Sequence, residues 1–201
     1  MKYELTDETM KFNGRTLHRI RALEDIPLAQ MVNVIIPAGS LGGWVETEKN
    51  LSQYGGAWIA GEAKVFDSAL ISDNALLLDN AFVCDNAWVS DNAMIAGDAQ
   101  VSGNAWVYES AKVRDNAIVA QHAKVYGMLT VIRDSACVRG YANVYDFSTV
   151  KQHAQVFGYA HVYGTAEIGG CAEVGGNTVI KGLKLSEPVF KPHHPKNNDA
   201  R

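Results

Sequence analysis

Of the side chains in this 201-residue chain, His122, His153 and His161 are the best suited to move a proton. A neutral imidazole titrates close to physiological pH, so it can take a proton from a hydroxyl or amine and give it back. Gln121-His122-Ala123 and Gln152-His153-Ala154 stand where the surrounding sequence otherwise writes Asp-Asn-Ala, as at Asp73-Asn74-Ala75 and Asp91-Asn92-Ala93. No carboxylate can be assigned by spacing to orient any of the three rings, and each position equally suits a plain surface polar residue. The recurring Asp-Asn pairs offer oxygens to calcium, but one carboxylate per repeat is too few for a hard cation, and turn chemistry accounts for both residue types. Cys84, Cys137 and Cys171 are odd in number and lack CxxC spacing, so they read as reduced thiols with no redox role. His193 and His194 lie among Pro188, Pro192 and Pro195, in a stretch that reads as a flexible, solvated tail over residues 186–201.

What positions these residues is a period of six. From Ile59 to about Leu185, twenty-one hexads follow one another, each opened by Val, Ile or Leu, and seventeen carry Ala four places later. Leu129, Ser148, Thr178 and Lys184 are the exceptions at the small position, and one extra residue falls at Ile132 to Ser135. Neither helical nor two-residue strand periodicity gives six; a parallel β-helix does, with one short strand and one corner per hexad and three hexads per turn. The aliphatic residue points inward and the Ala sits where two walls converge. The expected fold is therefore all-β: about seven triangular coils over residues 57–185, preceded by an N-terminal β cap over residues 1–56 that covers the open edge of the first coil.

Counting in eighteens assigns outward residues to walls. One wall carries Ser72, Ser90, Tyr108, Tyr126, Tyr145 and Tyr163, with Leu70, Trp88, Trp106, Lys124, Asn143 and His161 beside them. Trp88, Trp106 and the four tyrosines form a continuous aromatic face, which either stiffens the stack, mediates self-association or binds a stacked ligand. A second wall shows Trp58, Leu76, Met94 and Lys112, apolar first and charged afterward; the third carries Phe66, Phe82, Cys84, Ile118 and Phe157.

The pattern of aliphatic, Gly or Asp, any, any, Ala or Ser, any resembles the hexapeptide-repeat superfamily. The segment from Gly39 to Ser52, with Gly43-Trp44 and Asn50-Leu51-Ser52, is similar to the lead-in of a bacterial and phage-associated branch of it. That resemblance, and not the periodicity, implies left-handed winding. It also implies an acyltransferase with an acetyl-CoA-type co-substrate, a hydroxyl or amine acceptor, and a site between protomers of a homotrimer. In such enzymes a corner histidine is the base, which favours His122, then His153, then His161. The long acceptor-fencing loop of such enzymes is missing here, so a non-catalytic binding or structural module is the alternative. Zinc chemistry of relatives with the same fold needs three histidines across an interface, and the closely spaced pair is absent.

Before the repeats, Asn13-Gly14 marks a β-hairpin, and Met31 to Ile36, between turns at Asp25-Ile26-Pro27 and Pro37-Ala38-Gly39, reads as one buried strand. A net charge of -4 argues against nucleic acid and anionic membranes. No apolar run approaches a membrane span and the start does not read as a signal peptide, so the expected location is cytoplasmic.

Overall fold

The computed structural model describes residues 1–31 and 33–187, so Val32 and the tail with its prolines, His193 and His194 lie outside the described residues. Between them the chain winds as a parallel β-solenoid with three walls. Most strands pair in register with the strand eighteen residues on, as Trp88 with Trp106 and Val89 with Val107. The hexad openers and the alanines that follow are the core: Val65, Val83, Val101, Val119, Val138 and Val156 are all fully buried, as are Ala63, Ala81 and Ala99. Where Ala is replaced, the polar side chain is satisfied locally. Ser148 Oγ donates to the Tyr145 carbonyl at 2.9 Å, and Thr178 Oγ1 to that of Gly175 at 2.7 Å.

The extra residue lies earlier than the sequence pattern placed it. Val113 pairs with Ile132 and not Val131, so the inward residue after Val125 is Ile132 and the added residue falls in the corner Gly127 to Thr130. Thr130, fully buried, takes the small position assigned to Leu129, because its hydroxyl can donate to the Tyr126 carbonyl at 2.6 Å. Met128 and Leu129 are pushed out to 68% and 59% exposure.

Asp residues hold the corners by a repeated device. Asp79 adopts φ 60° and its Oδ2 accepts the backbone N–H of Gly97, one turn on, at 2.9 Å. Asp85 does the same for Gly103 at 2.8 Å, and Gln121 for Gly140 at 2.7 Å. Asx side chains tolerate the left-handed region, and here they also tie successive turns together. Gly103, at φ 70°, is required as well by space, since a Cβ there would lie 2.8 Å from the Gln121 backbone.

The stack has about eight turns, one more than the seven that twenty-one hexads make. Strand β1 (Tyr3–Phe12) and β2 (Arg15–Ala22) form the expected hairpin, with Asn13 and Gly14 at φ 48° and 78°. A ribbon follows, β3 (Ile26–Pro27) with β4 (Ile35–Ile36), and then β5 (Leu41–Val45), which pairs antiparallel with β2 and parallel with the strand Lys64–Val65. Val45 and Leu51, six residues apart and both buried, thus open a turn below the first hexad, Leu51 bridging Ile71. Two additional residues before Ile59 conceal this start in the sequence. Asn50 holds the junction: fully buried, its Nδ2 donates to the carbonyls of Asp67 at 3.0 Å and Ala69 at 2.9 Å, while its Oδ1 accepts from Thr47 N–H at 2.8 Å.

The stretch from Met31 to Ile36 is not the buried strand expected. Among its described residues only Ile35 and Ile36 pair, with the two-residue β3, and Val34 and Ile35 are 39% and 53% exposed. Met31 and Ile36 are partly buried against the core, and the full burial comes from Ile26 and Leu28 just before them, which join the apolar cluster of Trp58 and Leu76. Those two outward residues are consequently buried. On the Phe82 wall the hairpin tip does likewise: Phe12 packs on Phe66 and Phe82 with ring centroids 5.7 and 6.1 Å apart. Phe66 and Cys84, counted as outward, are thereby covered.

Candidate functional site

The wall that carries Leu70–Ile71, Trp88–Val89 and Trp106–Val107 keeps its aromatic side chains open. Trp88 and Trp106 are 38% and 39% exposed, against 1% for Trp58 on the wall the chain covers. In-register parallel pairing fixes the rest. Tyr108, Tyr126, Tyr145 and Tyr163 stack face to face at 4.7, 5.0 and 5.0 Å, tilted by 7° or less. Offset or parallel ring pairs add roughly 0.5–1.5 kcal/mol each beyond burial. Burial pushes the Tyr126 phenol up to about 12, helped by Tyr108 and Tyr145, and raises Tyr108 and Tyr145 too. Tyr108, Tyr126 and Tyr145 therefore present neutral phenols.

Two shallow clefts border it. The first, about 390 Å³, is lined by Asp73, Trp88, Ser90, Asp91, Trp106 and Tyr108. The second, about 450 Å³, is lined by Asn104, Trp106, His122, Lys124 and Tyr141.

His122 is exposed at its corner and stacks on Tyr141 at 4.6 Å and 1°, with Tyr159 continuing the column 5.0 Å beyond. The pattern of corner residues in the sequence is read for Asp-Asn and Gln-His-Ala and does not single out this second ladder, although 122, 141 and 159 recur at the period once the added residue is counted. His161 meets Tyr145 edge-on at 6.5 Å. His153 is exposed on a different edge, between the Trp58 and Phe82 walls, so one chain does not bring it near His122. Among the described residues no carboxylate hydrogen-bonds to any of the three imidazoles.

Among the described residues one cluster of metal-type ligands occurs, Asp67, Cys84 and Asp85, with ligand atoms within 4.8 Å of one another. Arg15 pairs with Asp67, and Asp85 receives the Gly103 N–H. Burial, then Asp85 and Asp67, push the Cys84 thiol up to about 12. These groups are already engaged, and the thiol is held protonated. Among the described residues no helix is long and apolar enough to cross a membrane. Neither a search of protein-family models nor a comparison with curated proteins finds a match to this chain.

Proposed function

We propose that the chain is a binding module whose aromatic wall holds a small ligand. The observation that carries this is selective cover: the N-terminal residues pack over Trp58 and Leu76 on one wall and over Phe66 and Cys84 on another, and leave Trp88 and Trp106 open beside a cleft. Concave, largely apolar surfaces with a few placed polar groups are where small molecules bind. Ring-stacked phenols keep the surface rigid, so little ordering entropy is lost on binding. A thermal-shift panel of sugars, amines, nucleotides and acyl-CoAs tests it: at least one raises the Tm of the wild type and fails to raise that of Trp106→Ala. If no member does, the reading falls.

A second reading rests on His122. It lines the other cleft together with Lys124, Trp106 and Asn104, and a corner imidazole beside a groove is what the hexapeptide-repeat resemblance implies for an acyltransferase. Left-handed winding and a homotrimer with acetyl-CoA between protomers belong to that same reading. It is supported if acetyl-CoA stabilises the protein, light scattering gives a trimer, and His122→Ala keeps the stabilisation while losing acyl transfer to an amine or hydroxyl acceptor.

A further inference from the structure

The cleft between Trp88 and Trp106 is shaped and charged for a particular kind of guest. The two indoles meet at 78° with centroids 5.4 Å apart, so they make two sides of a corner and not one flat platform. Trp88 is fixed by its Nε1, which donates to Ser72 Oγ at 3.0 Å. Asp73 and Asp91 add two carboxylates, and no basic side chain lines the cleft. Both carboxylates are anchored: Asp73 Oδ2 accepts from Ser72 Oγ at 2.8 Å, and Asp91 Oδ2 from Glu109 N–H at 3.0 Å. One turn further along the same column, the ammonium of Lys124 lies 4.7 Å from the Trp106 ring centroid. The column thus already seats a cation against an indole.

An indole face attracts cations through its quadrupole, most strongly where the cation sheds water easily. A primary ammonium is compact and strongly hydrated, so it loses more on entering an apolar corner. Methylation spreads the charge over a rounded apolar surface that can touch both rings at once, while the carboxylates supply net attraction. A neutral sugar stacks on one flat ring and can donate its hydroxyls to the carboxylates, but it brings no net charge for them to attract. We propose that this cleft binds a small quaternary ammonium compound of the trimethylalkylammonium class. The proposal rests on the aromatic wall being a binding surface and adds its ligand class.

The probes are choline chloride and tetramethylammonium chloride, followed by tryptophan fluorescence and calorimetry on the full chain, with ethanolamine and a neutral disaccharide as comparators. Choline and tetramethylammonium should give a saturable response that ethanolamine does not. Trp106→Ala, its fold checked by circular dichroism, should weaken binding by about tenfold or more, since each ring face lost removes a cation–π contact. Asp91→Asn should weaken it by roughly threefold, with a shallower salt dependence. Equal responses to choline and ethanolamine, or choline binding untouched by Trp106→Ala, overturn the proposal. So does a trimethyl-lysine peptide that binds where choline fails. Binding of the disaccharide alone overturns it and leaves the wall as a binding surface. Silence from every ligand, with both tryptophans buried in an oligomer, removes both.

Discussion

Asn50 gives the sharpest test of how the non-repeating residues join the solenoid. Replacing it by Ala strips the Asp67 and Ala69 carbonyls of their donor and the Thr47 N–H of its acceptor, all at a residue with no exposed surface. A buried polar group left unpaired costs about 1–3 kcal/mol, so three of them, allowing for partial rescue by water, cost about 3 kcal/mol. For a chain of this size that lowers Tm by about 6–12 °C. Because a solenoid's stability is a sum over neighbouring turns, the loss should also be local. Hydrogen exchange should quicken at Trp44 and Ser52, whose N–H groups bond to Ala63 and Ile71, and stay slow at Tyr145, bonded to Val162. Asn50→Asp, which keeps the acceptor but loses both donors, should do no better than Ala. A Tm within about 1 °C of wild type, with exchange at Trp44 and Ser52 unchanged, would refute the view that residues before the hexads form a turn of the stack.

Other outcomes follow from the same geometry. Asp79→Ala should cost about 2 kcal/mol, combining left-handed strain with the lost bond to Gly97, whereas Asp79→Asn should stay within about 0.5 kcal/mol in urea unfolding. Thiol titration should find Cys171 fast and Cys84 slow, since the first is exposed and the second is buried with its thiol pushed up to about 12. Lys2 donates to the Ala57 carbonyl at 2.8 Å from a buried site, and burial lowers it to about 8, against opposition from Glu24. Its folded value lies below its unfolded one, so the unfolded chain holds more protons between these values and stability rises with pH from about 8 to 10.5; Lys2→Met should flatten that rise in Tm.

The strict hexad made the three-walled stack, the inward aliphatics and the tyrosine ladder legible, because a fixed period turns position in the chain into position in space. What it hid were the places where the period breaks. Val45 and Leu51 obey the spacing, but the two residues added before Ile59 cut them off from the count. The extra residue near Val131 could be placed on either side of it by aliphatic pattern alone, since Val131 and Ile132 are both acceptable core residues. Only the demand for a small, satisfiable residue in the corner, met by Thr130 and not Leu129, decides. Trp58, Leu76 and Phe66 were correctly assigned outward yet are buried, because outward on a wall means exposed only where nothing else in the chain lies across it.

That last distinction is what separates the candidate site from the rest of the surface. Several outward apolar residues, Trp58, Leu76, Phe66 and Cys84 among them, need no ligand to explain them once the hairpin and the β3–β4 ribbon are in place. Trp88 and Trp106 differ because their exposure persists in the folded chain and coincides with two anchored carboxylates. Cross-strand stacking alone would be satisfied by the tyrosine column, whose rings lie parallel; the tryptophans turn perpendicular to each other and leave a corner open. If that corner served only the stack, exchanging both tryptophans for leucine would cost stability and leave any ligand response unchanged. If it is a site, the double exchange should abolish the choline response while the Tm, set chiefly by the buried aliphatic columns, moves by only a few degrees, about 2–4 °C per kcal/mol lost.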